Sequence, residues 1–584
     1  MCLSVVSRWV IVTWTVVHLI TPLQTIAQIA YTWKGGSGNW SSPENWTPPG
    51  VPGPEDVATV ASGTVLVNSA AIVGTLNFSG GSFQGDGVPV LTVVHGGSWS
   101  GGTISNMRLS LSPACVFSLD GAAKTLVGGV ITNAGTLAWT SGQLNLENNA
   151  TFHNLLGALT DVQSDVQVLQ SGAGTSTFRN EGTYQKSAGL GTNSIQIVSV
   201  INHGVLQASR GTIRIEASSL AATGVGNQFH AEADAGVVVT RSISANSFDG
   251  TSFSGPGVKA IATSGGNVTF ARTIVGTNLQ LVAGDYLGAA EFQGAIDWIG
   301  GSMSAKITIP NGSTLNLRGT SPKSLMTGAI TNNGSVIWTG GQFNLENNAT
   351  FHNSPGALVD VQSDVQVLQT GGGTSTFRNE GTYRKSSGTG TNTIQIVSFQ
   401  QAGVLEIDRG FILVAGNLAP TPQSRLRLGI GGAIPGAEFG QLQVSGNLEL
   451  SGALDVSLAE GFSPVEGQSF QVVSSRTRSG VFGVVMGSAI GGGLFLNPVY
   501  SGTGVRLTVV DATPTFSNPT WSAGEFHATL HGVAGGNYRV NASTNLVDWQ
   551  PLETKVIPGS GVAEFDDASS SLIPARFYRA AFLP

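Results

Sequence analysis

The sequence predicts an all-β chain: a right-handed parallel β-solenoid followed by a small C-terminal antiparallel β-sandwich. Three observations predict it. Charged residues are only 10% of the 584, and Gly supplies 81, against typical shares of about 25% and about 7%. A long unit, 99–217, recurs as 298–416 at a constant offset of 199 with no gap. Inside each unit an Asn–spacer–Gly–apolar signal returns every 21 to 26 residues, the period of a stacked coil.

Sparse charge excludes a helical bundle with salt-bridged faces. A hydrophobic share of 41% excludes disorder. High Gly with abundant Thr, Ser and Val suits short strands and tight turns. The net charge is −7 with no basic patch, so the counterion-release term of nucleic-acid binding is missing and no nucleic-acid partner is expected.

The elements follow in order. At the N-terminus Arg8 precedes an apolar run from Trp9 to Ile20, and small residues stand at Thr25 and Ala27. This reads as a signal peptide over 1–27, cleaved after Ala27, with a signal anchor as the alternative. No later run is long and apolar enough to span a bilayer, so the mature chain is expected to be secreted, extracellular or on the outer cell surface, with no transmembrane anchor. Cys2 leaves with the signal. Cys115 then stands alone, a small core residue with no disulfide partner.

Residues 28–98 form a Trp-rich cap and the first coils. "YTWKGGSGNWSSPENWTPPG" places Trp33, Trp40 and Trp46 among Gly, Pro and Ser. Bulky aromatics there would cover the unpaired strand edges of the first coil. The repeat units are 99–217 and 298–416, with connecting coils over 218–297. "NLENNATFHN" begins at Asn145 and Asn344, and "DVQSDVQVLQ" at Asp161 and Asp360. The turn signal reads "NAGTL" from Asn133, "NLLGAL" from Asn154, "NEGTY" from Asn180 and "NHGVL" from Asn202. The Gly is expected at positive φ at a corner. The Asn is expected to stack on the Asn of the next coil. Roughly twenty coils at ~4.8 Å each would make a rod on the order of 100 Å. A string of β-sandwiches is the alternative, but it would need domains of near 100 residues. Residues 417–511 change texture and read as terminal coils. Residues 512–584 alternate apolar with polar between Gly, Pro and Asp turns, the pattern of a small β-sandwich module.

The opening tryptophan pattern and "GQLQVSGNLELSGALDVSL" resemble secreted bacterial autotransporter-like β-strand-repeat proteins of the adhesin type. The chain departs from that family in carrying no long set of amphipathic barrel strands after the last coils, so the resemblance implies a passenger without its own translocator. "YRVNASTNLVDWQPL" with the terminal "ARFYRA" resembles a C-terminal module of secreted proteins from Verrucomicrobia-type bacteria. That resemblance implies a place outside the cytoplasm and no activity.

For chemistry, β-solenoids can host polysaccharide lyases and glycoside hydrolases, and hydrolysis needs two carboxylates about 5–10 Å apart. Glu147, Asp161, Asp165 and Glu181, with their copies Glu346, Asp360, Asp364 and Glu380, could meet that spacing across coils. All lie in the duplicated unit, whereas a cleft is built from unlike coils, so no catalytic residue is assigned. Asp161 and Asp165 read as one solvated strand face, with calcium bridging as the sharper alternative. One His per copy, His153 and His352, is too few for a metal site, and no cofactor is expected. "FRNEGTY" offers Arg179 beside Glu181, repeated as Arg378 and Glu380, an ion pair free to face a partner. Trp33, Trp40, Trp46 and Trp549 could stack on sugar rings. These eight residues are the binding candidates. The expected function is structural and adhesive, non-catalytic, with an extracellular glycan or cell-surface component as partner. A carbohydrate-active enzyme on the same scaffold is the alternative. The oligomeric state is left open.

Overall fold

The computed structural model describes residues 27–224, 226–240, 245–572 and 575–583. The signal-peptide reading falls on residues outside this range, apart from Ala27. The fold is a β-solenoid of about 17 turns with separate antiparallel sheets at the C-terminus.

Each coil contributes three short strands, and each strand pairs in parallel with the strand three places on, so the rod has three faces. The first face runs Arg108–Leu111, Val130–Asn133, Thr151–Asn154, Thr177–Asn180, Ser199–Asn202 and Ser219–Ala222. The second runs Val116–Leu119, Thr136–Trp139, Leu159–Val162, Thr183–Lys186 and Val205–Ala208. The third runs Lys124–Val127, Leu144–Glu147, Gln167–Gln170, Thr192–Gln196 and Thr212–Ile215. The second unit repeats the pattern. Four-residue strands with alternating burial, such as Thr-Phe-Arg-Asn, bury every second side chain. One continuous apolar core therefore extends from Tyr31 to Val509.

Between the units, Val258–Trp298 is a single extended stretch of 41 residues. It pairs in turn with Gly236–Val239, Ala245–Asp249 and Ser252–Ser254, one strand from each face, so it wraps round the corners without interrupting the ladder.

The inward Asn residues form the expected ladder. Nδ2 of Asn133 donates to Oδ1 of Asn154 (2.9 Å), Asn154 to Asn180 (2.9 Å) and Asn180 to Asn202 (2.8 Å). Each also donates to a carbonyl of the following coil: Leu159, Thr183 and Val205. In the second unit the ladder runs Asn332, Asn353, Asn379 and then Gln401. All of these side chains are buried.

Of the four turn glycines Gly157 has the expected positive φ, 83°, and the other three act differently. Gly135, Gly182 and Gly204 do not have positive φ. A Cβ on Gly182 would lie 2.4 Å from the carbonyl oxygens of both Ala158 and Leu155. Close approach of backbone, not a left-handed conformation, is what requires Gly there. The glycines that follow the core tryptophans, as in Trp99-Ser-Gly-Gly and Trp139-Thr-Ser-Gly, also have a local cause. The buried indoles of Trp99 and Trp298 donate to the carbonyls of Gly101 and Gly300, each at 3.0 Å, and Trp139 and Trp338 do the same into Gly142 and Gly341.

At the start, Trp46–Thr47 pairs antiparallel with Ala30–Trp33. Trp46 is fully buried, edge-on to Trp33 at 5.1 Å and to Trp40 at 4.9 Å. This covers the first coil. At the other end, Thr515–Ser522, Glu525–His531 and Val562–Asp567 form one antiparallel sheet. Gln550–Val556, Asn537–Ser543 and Phe577–Leu583 form another. Leu530, Tyr538, Val540, Ile557 and Phe565 fill the core between them, the expected small sandwich.

Candidate functional site

The structure separates the eight candidates into two groups. Trp33, Trp40 and Trp46 are 6%, 3% and 0% exposed. They present no face to a sugar, and the binding expectation for them is corrected: they are cap core. Trp549 is half-buried, with the Arg579 guanidinium 4.2 Å over its ring, a cation–π contact that occupies that face.

Arg179, Glu181, Arg378 and Glu380 lie at the surface of the first face. Register places Arg179 directly beside His153 of the preceding coil, and Arg378 beside His352. Both rows face outward because they alternate with the buried Phe and Asn positions. Arg179 Nε and Nη2 donate to the same oxygen of Glu181, at 2.9 and 2.5 Å. The other carboxylate oxygen lies 3.1 Å from His153 Nε2, off the line of a hydrogen bond. In the second unit His352 Nε2 makes that bond at 2.6 Å, and Arg378 pairs with Glu380. The Arg179 guanidinium holds the Glu181 carboxyl below the usual carboxylate range, with His153 helping. Arg378 and then His352 do the same for Glu380. The sequence paired Arg with Glu. It missed His, which lies about one coil earlier and is visible only once the register is known.

The other carboxylates are also tied down. Asp161 is the third residue of the strand Leu159–Val162 and accepts from Gln163 Nε2 at 2.8 Å. Asp165 is not on that strand but at the next corner, correcting the single-face reading. There it takes the Nζ of fully buried Lys186 at 2.6 Å and the Gly191 N–H at 3.1 Å. The Lys186 ammonium holds its carboxyl below the usual range. Lys385 and Asp364 repeat the pair at 2.7 Å. Glu147 accepts from Ser171 Oγ at 2.7 Å. Among the described residues no group of three or more His, Cys, Asp or Glu is gathered to hold a metal ion.

Two features escaped the sequence reading. Lys124, Lys259 and Lys323 are fully buried, each donating to two backbone carbonyls at a corner. Burial pushes all three ammonium groups down to about 8. The second is a charge ladder on the second face: Asp360, Arg384, Glu406, Arg427 and Asp455 stand in register on successive coils. Arg384 reaches Glu406 at 3.3 Å, and Arg427 reaches Glu406 at 2.8 Å and Asp455 at 3.8 Å. In the first unit the matching column is Asp161, Gln185, Gln207 and His230. Aligning coils on the turn glycine, with Arg384 three residues after Gly381 and Glu406 three after Gly403, would have revealed it.

No protein-family model matches the chain, and no curated protein matches it either.

Proposed function

We propose that the chain is a secreted or cell-surface, non-catalytic rod that holds repeated polar clusters toward a glycan or another surface. The observation that carries this reading is the recurrence of one Arg–Glu–His cluster on the same face of both units, about nine coils apart. At ~4.8 Å per coil the two clusters are separated by roughly 43 Å, a spacing suited to a two-point hold on an extended partner. Arg179 and Arg378 are the more exposed members, with side chains 38% and 51% exposed. They offer guanidinium donors to hydroxyl, carboxylate or sulfate groups.

The acid–base state of the site argues against hydrolysis. A general acid needs a raised pKa. Glu181, Glu380 and Asp165 are shifted the other way by adjacent cations and stay ionised at neutral pH. Placement outside the cytoplasm is supported by the apolar N-terminal run and the family-like opening motif.

The test uses the purified full chain on immobilised neutral and acidic polysaccharides, with reducing-sugar release followed in parallel. Binding without sugar release, weakened at least tenfold by Arg179→Ala with Arg378→Ala, is the expected result. Robust turnover, or binding indifferent to the double substitution, would sink the proposal.

A further inference from the structure

The two units share sequence, but their first faces end differently. In the first unit Ser199–Asn202 is covered by Ser219–Ala222 in parallel register, Val200 beside Leu220 and Asn202 beside Ala222. In the second unit the equivalent strand, Ser398–Gln401, pairs with the preceding Thr376–Asn379, and among the described residues no strand stacks on its other edge. The chain that returns to this position carries Pro420 and Pro422 and forms no strand there. It makes one backbone contact, Thr421 N–H to Gln401 O at 3.0 Å. The second and third faces continue past it.

The uncovered positions show the difference side by side. Ile197 and Val200 are 4% and 1% exposed. Their counterparts Ile396 and Phe399 are only partly buried, and Val397 is 67% exposed. A recess of about 690 Å³ lies along the edge, with Val397 to Gln401 on one side and Val414 to Asn417 on the other. Alternate residues of a parallel strand direct their backbone groups to opposite neighbours. In the first unit Ser199 N–H bonds back to Ser176 O, while Val198 O accepts forward from Ser219 N–H at 2.9 Å. By the same alternation Val397 O and the N–H groups of Phe399 and Gln401 point into the recess.

We propose that this edge is a docking site for an extended peptide strand of another polypeptide, added in parallel in the position that Ser219–Ala222 holds in the first unit. The internal copy specifies the occupant's chemistry: a small polar residue, a bulky apolar residue seated on Phe399, then two small residues. Pairing would supply the backbone bonds and the recess would take the apolar side chain, the division of labour of strand addition. The docking edge begins one strand beyond the Arg378 cluster, so a bound peptide would lie against it.

The test is a fluorescein-labelled synthetic peptide of residues 217–224, ASSLAATG, titrated with the full chain and read by polarisation. Saturable binding is expected, weakened at least tenfold by Phe399→Asp in the protein or by Leu220→Asp in the peptide. Val397→Asp, at an exposed position where folding is not at stake, is expected to weaken it at least fivefold. No saturable binding to the full chain would overturn the proposal, as would binding unaffected by either protein substitution. A concentration-dependent dimer that both substitutions dissolve and the peptide does not compete would make the occupant a second copy, and would overturn it too.

Discussion

Asn154→Ala probes the feature on which the coils depend most. Asn154 is fully buried. It donates to Asn180 Oδ1 (2.9 Å) and Thr183 O (3.0 Å), and accepts from Asn133 Nδ2 (2.9 Å) and Thr160 Oγ1 (3.0 Å). Alanine leaves the two acceptors without this donor in a site with no water contact. Each orphaned buried group costs about 1–2 kcal/mol, so the loss should be about 3 kcal/mol before any cavity term. Urea unfolding followed by far-UV circular dichroism measures the shift. Hydrogen exchange then localises it, because solenoid coils are stabilised chiefly by their neighbours: protection should fall between residues 130 and 205. Asn145→Ala, at a half-exposed position bonded to Gln143, should stay within about 0.5 kcal/mol. An Asn154→Ala protein as stable as that control would refute the ladder as a stabilising device.

Other outcomes follow from the same structure. Gly182→Ala should destabilise by about 1–3 kcal/mol, since its Cβ meets two carbonyl oxygens at 2.4 Å; an unchanged urea midpoint would contradict the close-approach argument. Trp46→Ala should cost about 3–5 kcal/mol and uncover the first coil, so light scattering should detect association that wild type lacks. Stability should rise between pH 8 and 10. Lys124, Lys259 and Lys323 are pushed down to about 8 in the fold but titrate near 10.4 when unfolded. In that window the unfolded chain binds more protons, and the melting temperature should climb with pH; a flat profile would contradict their burial as charged groups. Above about 10 the buried Tyr184 and Tyr383, whose pKa values burial raises, reverse the slope. At the acid end Glu181, Glu380 and Asp165 have lowered values. Their contribution is present above about pH 4 and should fade as pH drops through the folded values.

Much of the architecture was legible because it is periodic. The Asn–Gly signal gave the coil length, and its polar, buried Asn found the one arrangement that satisfies such a group, a neighbour of the same kind. Trp33, Trp40 and Trp46 were legible as a cap or core, but they stood as binding candidates as well, because a Trp-rich stretch reads alike whether the rings face water or one another. The corner lysines were not legible: Lys186 follows a strand-end pattern that would suit an exposed residue, and only the Asp165 carboxylate and the Ser164 and Ala188 carbonyls around its ammonium make burial tolerable. The Asp360–Asp455 ladder needed the lateral register, which depends on coil lengths that vary from turn to turn. The open edge at Ser398–Gln401 was not read: Ser-Phe-Gln-Gln keeps the strand pattern of the covered Ser-Val-Ile-Asn although only the Ser is shared, and the missing cover is signalled outside the strand, by Pro420 and Pro422.

The parallel stacking has a mechanical consequence. Backbone bonds between coils lie along the rod axis, so tension applied at the two ends would load them one rung at a time. A coil of about 22 residues spans ~4.8 Å when stacked but roughly 75 Å when drawn out. Each rung that yields would therefore release about 70 Å of slack while the rest of the rod stays intact. Force spectroscopy should record a staircase of such steps, the behaviour of an extensible tether that gives ground without letting go.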